Sequence, residues 1–197
     1  VADLQNVMKA AGLTAEIILP GTVGPANAFE LAYPEVFGKE VVALIDLGYK
    51  NSTINILDAG QLLLNRVVSI GGEKLTTGLA EAMSISSAEA EGMKLAMPED
   101  VQMVMMMLLQ PLAGELHASL DFFEHQHDKT VVQAFISGGA ARSEFIVKSL
   151  KEELSRETKS WNPLAGLRLG LSPEKMGEVE QVAPQLAVAA GAALSAL

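Results

Sequence analysis

Four clusters of small, hydroxyl-bearing and charged residues are the places where this chain could do chemistry. The first is Asp46-x-Gly48 followed by Ser52 and Thr53, at the end of the apolar run "VVALIDL". Glycine lets a turn bring backbone N–H groups close to an anion, and the two hydroxyls can add hydrogen bonds. An acid at the strand end would repel bare phosphate, but it could hold Mg²⁺ through water, because Mg²⁺ keeps much of its hydration shell. Taken alone, the stretch reads first as an ordinary hairpin turn. The second cluster is "FISGGAAR" (135–142), a strand running into Gly138 and Gly139 and then a helix. Such a junction opens space over a helix N-terminus for a base or a phosphate. It lacks the Lys-Ser/Thr of a P-loop, and close strand–helix packing selects the same glycines. The third, "SIGGEKLT" (69–76), repeats the arrangement with Gly71 and Gly72. The fourth, "EAEGMK", puts Glu91 and Lys94 three apart on one helix face. That spacing suits a grip on ribose hydroxyls, and equally a surface ion pair worth a few tenths of a kcal/mol.

The elements that must position these residues follow from periodicity. Asp3 precedes a helix from about Leu4 to Ala11 that Gly12 stops, "LTAEIIL" (13–19) reads as a strand, and "GPANAFELAY" as a short helix with Pro25 in its first turn. A loop is expected from Pro34 to Glu40. The runs 41–47, 52–58 and 62–70 are three strands joined by short turns, and Asp58-Ala59-Gly60 has hairpin character. The first run is apolar almost throughout, which places it centrally in a sheet. Helices follow at Glu73–Met83 and, behind the capping-box pattern Ser86-x-x-Glu89, to about Ala96. A long helix from Pro98 to about His125 repeats apolar residues every three or four positions, and Pro111 should kink or divide it. A strand (130–137), a helix (142–155), a short strand near 158–161, a loop and a terminal helix "APQLAVAAGAALSAL" complete the chain. This order is a mixed α/β layer with helices on a sheet.

Composition narrows the function classes. The chain has 197 residues, and 49% are hydrophobic, enough for one sizeable core or a domain with a small appendage. A net charge of −10 and the absence of any basic block argue against nucleic acid and against an anionic lipid surface. With no cysteine there is no disulfide framework, zinc ribbon or cysteine nucleophile, which suits a cytoplasmic protein. "VADLQNVMKAAGL" is no secretory signal, and the missing initiator Met suggests a piece of a longer protein. Val101–Gly114 and Val182–Leu197 lack charge but read as buried helices rather than membrane spans. His125-x-His127 has no clear third ligand nearby and is explained by the helix dipole. The cluster Met103, Met105, Met106 and Met107 reads as a buried core face, with an adaptable binding face as the other option.

Taken together, the four clusters resemble those of the actin-like ATPase superfamily. Asp46-x-Gly48 with Ser52-Thr53 is similar to its second phosphate loop, Ser137-Gly138-Gly139-Ala140 to its adenosine motif, and Ala90-Glu91-x-x-Lys94 to the ribose-holding helix of bacterial actin homologues. Within it, "ALIDLGYKNSTINIL", "VVSIGGEKLT", "ISGGAARSEFIVKSLKEEL", "WNPLAGL" and "VAPQLAVAAGAAL" resemble the type IV pilus assembly protein PilM family, relatives of the division protein FtsA, in order and spacing. The resemblance covers nearly the whole chain but only the second half of such a protein. It implies an RNase H-like α/β domain at 34–197 with a small helical subdomain at about 77–127, and the end of a first half with its connecting helix at 1–33. It further implies ATP and Mg²⁺ as cofactors in the intact protein. Asp46, Gly48, Ser52 and Thr53 would face phosphate, with Asp46 on Mg²⁺ through water. Gly138 and Gly139 would face adenosine, Glu91 and Lys94 the ribose, and Gly71 and Gly72 would border the site. The implied partner is the cytoplasmic tail of an inner-membrane pilus assembly protein, so the protein would be cytoplasmic and peripheral at that membrane, with self-association also open and no direct membrane insertion. The sequence departs from the pattern in three ways: the first phosphate loop is absent, no acid stands near Leu19-Pro20-Gly21, and Glu73-Lys74 follow Gly72 where asparagine is common. A weak ATPase at most is expected in the intact protein and an inactive fragment here. A sugar or acid kinase of the same superfamily, or a scaffold with a vestigial nucleotide site, are the alternatives.

Overall fold

Three antiparallel strands, β1 (Val41–Leu47), β2 (Ser52–Asp58) and β3 (Gln61–Val68), form the meander that the alternation predicts. In the computed structural model, which describes residues 2–196, β4 (Gln133–Gly138) and β5 (Glu157–Ser160) extend the sheet in parallel from the other side of β1. The strand order is β3-β2-β1-β4-β5. β1 is central and buried on both faces, as its unbroken apolar run requires. Side chains alternate across a strand, so Ala43, Ile45 and Leu47 enter one core and Val42 and Leu44 the other.

The first core is covered by α4 (Gly72–Met83), α5 (Ser87–Ala96), α6 (Glu99–His127) and α7 (Glu144–Leu154). The second lies under α2 (Gly24–Ala32), α3 (Pro34–Phe37) and α9 (Ala187–Leu194), with Phe29, Phe135 and Trp161 packed edge to face. The α5 start is the expected capping box: Glu89 N–H donates to the Ser86 hydroxyl, and Ser86 N–H donates to the Glu89 carboxylate at 2.9 Å. α2 and α9 cross backbone to backbone. A Cβ on Gly191 would come within 2.8 Å of Gly24 Cα, and one on Gly24 within 2.6 Å of the Val188 carbonyl. Neither helix can retreat without opening the second core, so Gly191→Ala is expected to cost about 1–3 kcal/mol, read as a lower denaturant midpoint with unchanged m.

Several expectations are corrected. Residues 13–19 are not a strand but irregular chain, with Leu13, Ile17, Ile18 and Leu19 exposed. An apolar run becomes a strand only when another strand accepts its hydrogen bonds, and none of the five does. Residues 34–37 are helical rather than loop, and so are 173–182 (α8, Pro173–Val182). α8 begins with the Ser172 hydroxyl accepting from Lys175 N–H and with Pro173 in the first turn. α6 runs through Pro111 undivided, with the proline on its solvent side. Neither uncharged stretch is buried all round, and among the described residues no helix is long and apolar enough to cross a membrane. Of the methionine cluster only Met105 is buried, while Met103, Met106 and Met107 are exposed. α1 (Ala2–Ala10) buries nothing.

Candidate functional site

The carboxyl ends of β1 and β4 lie side by side, with Asp46 opposite Ser137 and Leu47 opposite Gly138. The turn after β1 reaches across to the α4 start, where Gly72 N–H donates to the Gly48 carbonyl (2.9 Å) and Glu73 N–H to the Tyr49 carbonyl (2.8 Å). This approach needs small residues. A Cβ on Gly71 would fall 2.7 Å from the Gly48 carbonyl, and one on Gly48 2.7 Å from the Asn51 carbonyl. Between the turn, the β4 end and α5 opens a cleft of about 400 Å³.

Asp46, Gly48, Gly72, Glu91, Lys94, Gly138 and Gly139 all line it, although they come from four separate stretches of chain. Ser52, Thr53 and Gly71, expected to face phosphate or border the site, are not among the residues that line it. The fully buried Ser52 hydroxyl donates to the Ile70 carbonyl at 2.6 Å, tying the hairpin to the third cluster, and Thr53 pairs with Asp46 across the ladder. Tyr49, Arg142 and Gln185 line the cleft without having been singled out. Arg142 closes the "SGGAAR" motif and was within reach of the sequence reading. Gln185, in the turn before α9, carries no local signal.

Asp46 is half-buried, and burial pushes its carboxyl above the usual carboxylate range. The Ser137 hydroxyl, donating to Oδ1 at 2.8 Å, offsets this only in part. Asp46 is therefore an acid whose charge is poorly solvated. On the opposite wall Lys94 is 5% exposed and all three of its ammonium donors have partners: Glu91 Oε2 at 2.7 Å, Thr76 Oγ1 at 2.8 Å and the Gly72 carbonyl at 3.4 Å. Burial works against the Glu91 charge, but bonds from Lys94 and Thr76, with Lys94 and Arg142 charge nearby, outweigh it and hold its carboxyl below the usual range. The pair is thus no free surface ion pair: it fixes α5 to the α4 start and leaves Glu91 ionised at the cleft. Gly138 adopts φ +92°, ψ 176°, and a Cβ there would lie 2.7 Å from Leu47 N. Gly139 has nothing within 4 Å of its Cβ direction, so it faces open space.

The cleft can seat an anion on glycine-rich backbone, with one carboxylate ready for a cation. Among the described residues no three His, Cys, Asp or Glu side chains form a metal cage. That donor set suits Mg²⁺, which is usually held by one or two carboxylates, water and ligand phosphates. The two histidines of the His125-x-His127 pair are engaged elsewhere, His125 Nδ1 with the Asp121 carbonyl and His127 stacked on Phe123.

A family model described as type IV pilus assembly protein PilM matches residues 1–197. Among solved structures, a PilM-PilN type IV pilus biogenesis complex is similar with a TM-score of 0.84 and 22% identity, covering 98% of this chain and 56% of that one. The ethanolamine utilization protein EutJ from Carboxydothermus hydrogenoformans gives 0.65 and 19%, covering 96% and 58%. MreB 5 of Spiroplasma citri bound to AMPPNP gives 0.68 and 14%, covering 98% and 62%. At these identities the likeness is one of fold, and the mixed sheet with helices on both faces is the actin-like α/β fold. The chain spans 56% to 62% of the length of these three proteins.

Proposed function

The chain belongs to the type IV pilus assembly protein PilM family, and from that premise we propose that its cleft binds Mg-ATP in a cytoplasmic protein that helps assemble type IV pili. The observation that carries the nucleotide reading is the convergence of Asp46, Gly48, Glu91, Lys94, Gly138 and Gly139 on one cleft of about 400 Å³, within the size range of small-molecule sites. Asp46 holds Mg²⁺ through water, and the charge that burial makes costly is then neutralised. The Gly48 turn presents backbone to the phosphates. Gly139, with open space where a side chain would stand, admits the adenosine, and Gly138 lets β4 turn beneath it. Glu91, held ionised by Lys94, accepts from the ribose hydroxyls. When bound, ATP supplies the phosphoanhydride and Mg²⁺ the charge that screens it.

Residues 1–33 are the end of a first half with its connecting helix, and 34–197 form the second actin-like domain, with 77–127 as its helical subdomain. The nucleotide named with the MreB 5 structure supports the cofactor, and the PilN named with the pilus complex supports the partner: the cytoplasmic tail of an inner-membrane pilus assembly protein, which keeps this protein peripheral at that membrane. Any hydrolysis by the intact protein is weak, with Asp46 committed to Mg²⁺ and Glu91 to Lys94 and the ribose. In the full-length protein, Asp46→Ala is expected to weaken Mg-ATP binding at least tenfold by calorimetry, about 1.4 kcal/mol or more. Unchanged affinity would overturn the site assignment.

A further inference from the structure

The solvent side of α6 is not what a solvent-facing helix normally presents. Between Asp100 and Asp121 its exposed residues are Met103, Met106, Met107, Gln110, Pro111, Gly114 and Ala118, with no charge among them. A helix on a soluble domain ordinarily carries polar residues there, and an uncharged ridge running about four turns marks an interaction surface. Three of the methionines are 45–73% exposed, and flexible thioethers suit a face that packs against another protein.

We propose that this ridge binds a second copy of the same chain, α6 against α6, antiparallel about a twofold axis between Leu112 and Ala113. The reason is the symmetry of its own pattern. The ridge runs through Asp100, Met103, Met107, Pro111, Gly114, Ala118, Phe122 and His125, all exposed. Its spacing reads the same from either end, as an isologous interface requires. In that register the large Met107 meets the small Ala118, Pro111 meets Gly114, and Met103 meets Phe122, a sulfur–aromatic pairing. At the two ends Asp100, in the acidic first turn, meets His125 in the last turn. A parallel pairing would set Met107 on Met107 and leave a void at Gly114. Nothing blocks a close approach at the centre, since a Cβ on Gly114 has no neighbour within 4 Å. The flanks are already committed inside the monomer, Gln110 Nε2 to Glu153 (2.6 Å) and Arg66 to Glu115. The paired length from Asp100 to His125 is about 38 Å at 1.5 Å per residue. One helix pair of that length lies at the small end of specific interfaces, below about 1,200 Å² in total, so the dimer is expected to dissociate in the micromolar range.

The test is sedimentation of the full-length protein over a wide concentration range, with Gly114→Glu as the disrupting variant. That variant does not strain the monomer, because its side chain enters open space. A monomer–dimer equilibrium whose dissociation constant rises at least tenfold in Gly114→Glu is the expected result. The register is read separately by thiol cross-linking, in a chain with no cysteine of its own. A mixture of Met107→Cys and Ala118→Cys proteins should cross-link, whereas Met107→Cys alone should not, its two thiols lying about 16 Å apart along the axis. A monomer at every concentration, a dimer indifferent to Gly114→Glu, or cross-linking of Met107→Cys with itself would each overturn the proposal. So would a ridge that a pilus partner's helical segment occupies in place of the second copy.

Discussion

Gly138→Ala is expected to lower the unfolding free energy by about 3–5 kcal/mol, while Gly139→Ala, one residue along, changes it by less than about 1 kcal/mol. The two glycines look interchangeable in "ISGGAAR", but the structure gives them opposite duties. Gly138 ends β4 at φ +92°, ψ 176°, a region that only glycine occupies readily. Its missing Cβ would also sit 2.7 Å from Leu47 N, on the central strand of the sheet. Backbone strain of about 1–3 kcal/mol and overpacking of similar size therefore add, because β1 is held by β2 on one side and by β4 on the other. Gly139 has an ordinary φ and empty space beside it. A larger residue there occupies the cleft rather than the core, so Gly139→Leu should keep the wild-type denaturant midpoint yet lose nucleotide. Equal midpoints for the two alanine variants would mean that β4 can relax its turn, and the rigid floor assigned to the cleft would be wrong.

The contrast between the two glycines belongs to the structure, but much of the fold was legible in the sequence, and what was missed has a physical reason. The strands β1 to β4 and the caps of α5 are local signals, set by alternation and by residues three apart, and they fall close to where the sequence places them. Residues 13–19 have the composition of a strand, but a strand is a relation between two segments, and composition cannot report the absent partner. The exposed methionines are the same kind of miss. α6 carries apolar residues all round, so its periodicity says that it is a helix without saying which side the protein covers. At the cleft, glycine pairs are visible because a close approach tolerates no other residue. Arg142 and Gln185 arrive through tertiary placement, and the inward turn of Ser52 depends on Ile70, eighteen residues away.

Asp46→Asn should make the protein more stable at neutral pH while removing its affinity for Mg-ATP. Burial raises the folded-state carboxyl above its ordinary value of 3.8, so between those two values the native state binds more protons than the unfolded chain. Stability therefore falls as pH rises through that window and stays reduced above it. Asparagine keeps an oxygen to accept from the Ser137 hydroxyl and carries no charge to desolvate, so it escapes that cost. The variant's advantage in melting temperature should be largest near pH 7, shrink on acidification, and disappear as the pH reaches about 3.8. A variant less stable than wild type at pH 7, or an advantage that grows in acid, would mean that the Asp46 charge is stabilising and not waiting for a cation. Ligand reverses the order. At a hundredfold excess over its dissociation constant Mg-ATP should stabilise the wild type by about 2.7 kcal/mol, and it should leave Asp46→Asn where it was. The site then costs the free protein stability that bound Mg²⁺ returns, as expected if the carboxylate is retained for binding rather than for folding.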